Sequence, residues 1–195
     1  MRIFILFISL LWAGCQPITS NISSNEAYFD LPGFAQALLE TQVQGQGQVV
    51  KTIQVNQIQD ISIIDNPDSI FWATELFPLL NGNINKPSLI NAYSVQQDMP
   101  DESSNLLKTV YTALPESNTT IKKLEIKYLD SPKEIRQVIV FIDNKNSVYN
   151  TQQVIQLWTN KYGSKLLIDS LVTEGFNKTI LLDSMKYSSK VVINR

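Results

Sequence analysis

Lys123-Leu124-Glu125-Ile126-Lys127-Tyr128 alternates charged and apolar side chains without a break. A period of two belongs to a β-strand, with Leu124, Ile126 and Tyr128 on one face and Lys123, Glu125 and Lys127 on the other. Such a strand sits in a sheet that is covered on one side and wet on the other. The last strand of the chain repeats the pattern, with Met185, Tyr187, Val191 and Ile193 opposed to Lys186, Ser188 and Lys190. Strand-like runs fill the whole C-terminal part, at 89–95, 106–114, 124–129, 135–142, 148–158, 166–172 and 180–193. The links between them hold turn residues, among them Asp130-Ser131-Pro132, Asp143-Asn144-Lys145-Asn146, Lys161-Tyr162-Gly163 and Glu174-Gly175. Links this short join antiparallel neighbours, because a parallel crossover needs a dozen residues or more.

The covering layer should come from the N-terminal part. Asp30 suits an N-cap and Pro32 a first helical turn, and Leu31, Phe34, Ala35, Leu38 and Leu39 recur at helical spacing. The spacing predicts a helix ending near Gln44, ahead of Gly45 and Gly47. Val49, Ile53 and Val55 then alternate as one strand, and Ile61 and Ile63 as a weaker second. A further helix is expected from Asp68 or Ser69, with Ile70, Ala73, Leu76, Phe77 and Leu80 on one face and Trp72 beside it. Pro78 should stop or kink it, since proline has no N–H to give the residue four back. These elements predict an α+β domain over residues 28–195. It is a long antiparallel meander of about seven to nine strands packed against two N-terminal helices.

Residues 1–14 have the parts of a secretory signal: Arg2, an apolar run from Ile3 to Leu11, and small residues before a cleavage point. The run is shorter than the roughly 20 residues a membrane span needs. Ala13-Gly14-Cys15 resembles the lipobox of bacterial lipoproteins, whose cysteine receives a diacylglyceryl group and becomes the new N-terminus. Trp12 stands where that pattern usually has leucine, with Leu11 one place further back. Cys15 is the only cysteine of the 195 residues, so an internal disulfide and a cysteine metal cluster are both excluded. Residues 15–27 then read as the lipidated cysteine and a flexible tether rich in Ser and Asn. In the sorting rule of such lipoproteins, Asp after the cysteine retains the protein in the inner membrane. Gln16 therefore implies the outer membrane, with the face undetermined.

The runs Tyr28-Phe29-Asp30-Leu31, Trp72 with Glu75-Leu76-Phe77, and Ile84-Asn85-Lys86-Pro87 resemble a family of uncharacterised lipoproteins of the Bacteroidetes group. That family lends no catalytic residues. A looser architectural similarity is to the half-barrel lipoprotein carriers and receptors of the outer-membrane localisation system, in which a curved antiparallel sheet holds helices in its concavity.

Little in the chain marks chemistry. It contains no histidine, which removes the Ser-His-Asp and Cys-His arrangements and the usual zinc sites. No glycine-rich phosphate loop occurs, and 16 basic against 18 acidic residues, with no long run of like charge, disfavour a nucleic-acid binder. Asp98, Asp101 and Glu102 offer hard oxygens for calcium but read better as a solvated loop, and Asp143-Asn144-Lys145-Asn146 as a turn bonding its own backbone. Ser69, Ser170 and Ser184 each follow an aspartate and precede an apolar residue, which resembles the O-glycosylation sites of Bacteroidetes exported proteins. Trp72 and Phe77 are candidates for an apolar pocket, although aromatics at helical spacing are more often core.

The expected function is that of a lipid-anchored envelope protein with a non-enzymatic binding or assembly role, working without cofactor or metal. Its partners would be the membrane, through the anchor, and other envelope proteins. The alternative is a carrier or receptor for an apolar ligand held between sheet and second helix, with an enzyme ranked third.

Overall fold

The computed structural model of the chain describes residues 27–45, 47–180 and 182–195. The signal, Cys15 and all but the last residue of the tether lie outside this range.

The first helix, α1 (Leu31–Val43), starts where Asp30 accepts a hydrogen bond from the Gly33 N–H at 2.9 Å. Leu31, Ala35, Leu38 and Gln42 form its buried stripe. Gln42 is a polar member of that stripe, and its Oε1 takes the Ile168 N–H at 3.1 Å. The hairpin β1 (Gln48–Val55) and β2 (Ile58–Asp65) follows, paired over eight residues from Gln48↔Asp65 to Val55↔Ile58 with no slip.

The second helical stretch breaks just ahead of Pro78, as expected, and differs from expectation in its buried face. It is split into α2 (Ser69–Glu75) and α3 (Phe77–Leu80), with Leu76 capping both. Pro78 would clash with the carbonyl four residues back, so the first segment ends before it arrives. Its buried face is Trp72, Leu76 and Leu79, while Ile70 and Phe77 point outward. The expected face is thus corrected by roughly a quarter turn. The stretch is apolar nearly all round, and the largest side chain, Trp72, occupies the core.

A 3-10 turn (Pro87–Leu89) leads into an unbroken meander. Its strands are β3 (Tyr93–Pro100), β4 (Leu107–Ala113), β5 (Ile121–Tyr128), β6 (Ile135–Lys145), β7 (Tyr149–Tyr162), β8 (Lys165–Thr179) and β9 (Met185–Asn194). The fold is α+β with one nine-stranded antiparallel sheet in the order β2-β1-β9-β8-β7-β6-β5-β4-β3. Among the described residues the sheet does not close, so β2 and β3 are its edges. The N-terminal hairpin docks on the last strand, with Val49 opposite Ile193.

The core lies between the helices and one sheet face, as the alternation implied. Leu124, Ile126 and Tyr128 of β5 are buried with Val138, Val140, Ile155, Leu157, Leu171 and Val191. Burial of this apolar layer, at about 25 cal/mol per Å², is the main stabilising term. The opposite face carries the charged partners, where Lys123 and Glu125 form an ion pair. No described helix is long and apolar enough to cross a membrane.

Candidate functional site

Trp72 and Phe77, paired by sequence as one pocket, are separated by the fold. Trp72 is 1% exposed and meets the Phe71 ring edge-on, with centroids 5.1 Å apart. Phe77 is 63% exposed. It lines an open groove of about 560 Å³ with Leu39, Ile70, Ala73 and Thr74, on the side of the helices away from the sheet. Of the three serines, Ser69 and Ser184 are exposed, whereas Ser170 is half-buried within β8 between Trp158 and Val192.

The acidic loop after β3 is built around ion pairs. Asp101 lies 3.0 Å from the Lys127 amine and 3.7 Å from that of Lys108, and accepts from the hydroxyls of Ser103 and Ser104. The Lys127 hydrogen bond, then that of Ser104, hold its carboxyl well below the usual range. Asp98 points elsewhere and accepts from the Tyr128 hydroxyl at 2.5 Å. That hydroxyl also meets Thr109 Oγ1 at 3.1 Å, and burial pushes its own titration up, so it stays neutral. These residues lock the edge of the sheet to its core. Of the turn expected at Asp143-Asn144-Lys145-Asn146, the first three residues continue β6, and Asn146 alone bonds the turn backbone, its Oδ1 accepting from the Val148 and Tyr149 N–H groups.

The two edges of the sheet differ in a way that sequence alone does not reveal. At β3 the ladder slips between Gln96 and Met99, Asp98 takes φ 54°, and the strand ends on Pro100. A bulge and a proline both block a further strand. At β2 the ladder is regular and eight residues long. It has no lysine and no proline, and Ile58, Ile61 and Ile63 are all more than half exposed. Ile61 and Ile63 share the face away from the helices, next to Thr52 and Val50 of β1. Asp60 and Asp65 are the charges it carries, and a long regular edge with exposed isoleucines is a template for another strand.

This surface escapes a reading of the sequence because edge position depends on β1 meeting β9. The available signal was four isoleucines between 58 and 64 with neither lysine nor proline among them. Comparison with protein-family models, curated proteins and solved structures found no match to this chain.

Proposed function

We propose that the protein is a lipid-anchored envelope protein with a non-enzymatic assembly role, and that it joins a protein partner by strand addition at β2. The anchor reading is supported by the apolar leader and the Ala13-Gly14-Cys15 motif, and Gln16 favours the outer membrane. The assembly reading is carried by the contrast between edges: β3 is blocked, whereas β2 is regular and lined by exposed isoleucines. Main-chain hydrogen bonds would supply affinity in such a contact, and the alternate side chains its specificity. Close packing around Trp72 counts against the carrier alternative, whose remaining support is the Phe77–Ile70 groove.

A photo-crosslinking residue placed at Ile61 in the full chain, in its native host, tests the assembly reading. A discrete adduct is expected at that position, absent when the probe replaces Ser94 on the β3 edge and lost when Ile63→Lys is added. Equal adducts at both edges, or one indifferent to Ile63→Lys, would refute strand addition at β2.

A further inference from the structure

Three hairpin tips lie side by side at one end of the sheet: the β1–β2 turn, the β6–β7 turn and the β8–β9 turn. Hydrogen bonds tie them together. The Asn56 N–H donates to the Lys186 carbonyl at 2.8 Å, the Lys186 N–H to Asn56 Oδ1 at 2.9 Å, and the Ile180 N–H to the Val148 carbonyl at 3.1 Å. Among the described residues α3 comes as far as Ile142, where Pro78 lines a cavity with it and Ile121. The last fully buried residue of β7 on this side is Ile155, and from Val154 to Tyr149 none is buried. Those six residues, at about 3.3 Å each, make an extension of about 20 Å whose residues are half-buried or exposed.

The tips are apolar where turns are normally polar. Val148, Ile180, Leu182 and Ile58 are each between 61% and 78% exposed, with Met185 beside them. Around them stand Lys145, Lys178 and Lys186, all exposed and in no ion pair among the described residues, with Asp183 in the β8–β9 turn and Asp60, Asp143 and Glu174 set further back along the strands. At the outermost positions, 145–149 and 178–186, the lysines outnumber the one carboxylate in a chain whose net charge is −2.

The N-terminal segment joins the domain at the same end. The Tyr28 N–H is held by Asn85 Oδ1 at 2.9 Å, and its ring packs edge-on against Tyr93 and Tyr111. Tyr93 donates its hydroxyl to the Ile121 carbonyl, and Ile121 pairs with Ile142, three residues short of the end of β6. From Cys15 to Tyr28 is 13 residues, a chain that reaches at most about 45 Å. A lipid at Cys15 would therefore keep Tyr28, at this end of the sheet, within about 45 Å of a bilayer.

We infer that the three hairpin tips rest on an anionic phospholipid bilayer, with Val148, Ile180 and Leu182 at the headgroup–acyl boundary and Lys145, Lys178 and Lys186 on the headgroup phosphates. This inference rests on the anchor reading for its choice of partner. Apolar side chains ringed by lysine are what such a boundary favours, and each lysine near an anionic surface is worth about fivefold in binding. Tyr149, the first residue of β7, suits the interface by its amphipathic ring.

The test uses the full chain with Cys15→Ser, so that attachment owes nothing to an acyl chain and a polarity-sensitive dye has one thiol to occupy. The dye is placed at Leu182→Cys, at Val148→Cys, or at Ser164→Cys in the turn between β7 and β8 at the far end of the sheet. Vesicles of phosphatidylethanolamine and phosphatidylglycerol at 7:3 carry a quencher on the acyl chains. Blue-shifted emission and at least threefold stronger quenching at 182 and 148 than at 164 are expected. Equal quenching at the two ends, or no association with the vesicles, would overturn the inference. Mass spectrometry of residue 15 in the unsubstituted chain reads the anchor separately: quenched tips with an unmodified Cys15 would keep this surface and discard the anchor.

Discussion

Replacing Trp72 by alanine should remove a large part of the domain's stability. Trp72 is 1% exposed and lies on the buried stripe with Leu76 and Leu79. A buried tryptophan hides up to about 250 Å², worth about 6 kcal/mol at 25 cal/mol per Å² before the alanine that remains is subtracted. Measured large-to-small core changes of this kind cost about 3–5 kcal/mol. The edge-on contact with Phe71 adds about 1 kcal/mol. The expected loss is about 4 kcal/mol, against a total stability of about 5–15 kcal/mol for a typical domain. Urea unfolding followed by far-ultraviolet circular dichroism, which does not depend on the lost indole, should show the midpoint fall by about 2 M with its slope unchanged. Phe77→Ala, at an exposed site one residue beyond the break, should cost about 0.5 kcal/mol or less. A loss below about 1.5 kcal/mol for Trp72→Ala, or an equal effect at Phe77, would show that the assigned core face is wrong.

Cys15→Ser should abolish incorporation of a fatty-acid analogue and leave uncleaved precursor; undiminished label would end the anchor reading. Asp101→Asn should destabilise the domain at neutral pH by about 2 kcal/mol, through hydrogen bonds to a charged group. Because the Asp101 carboxyl is depressed in the folded state, its contribution is complete above the ordinary aspartate value of about 4 and is lost as pH falls below that. The gap between wild type and Asp101→Asn should therefore narrow on acidification from pH 5 toward about 2, and a gap independent of pH would contradict the ion-pair account. Tyr128→Phe should cost about 1–2 kcal/mol in thermal unfolding, because Thr109, itself buried, loses its partner.

The sheet was legible because its signal is local. Leu124, Ile126 and Tyr128 alternate with charge whatever lies around them, and the turns at Asp130 and Gly163 sit at positive φ where their residue types favour it. What failed was information held between distant segments. Leu89 and Ile90 suggested a strand, but Pro87 opens a 3-10 turn and Asn91 has φ 65°, so β3 starts only at Tyr93. It then runs through Gln96 and Gln97, whose polarity hides a strand that needs no burial at an edge. On α2 the sequence offers two apolar stripes, and only the tertiary fit of Trp72 decides between them. That β2 is an edge follows from Val49 meeting Ile193, 144 residues later, a pairing no window of sequence contains.

The two proposed surfaces constrain each other through the geometry of one hairpin. β2 begins at the tip end, where Ile58 is one of the exposed apolar residues, and runs away from it through Ile61 and Ile63. At about 3.3 Å per residue, Ile63 stands some 17 Å beyond Ile58 along the strand. If the tips rest on lipid, a strand added at β2 must lie within about two nanometres of the membrane surface, so its owner is a membrane-proximal protein. The same arrangement bears on Ser184, which is exposed two residues from Leu182 in the β8–β9 turn. A glycan there would hold the turn away from the headgroups, so modification of Ser184 and lipid contact at Leu182 exclude one another. Ser69 lies at the start of α2, outside the tip segments and free of that conflict.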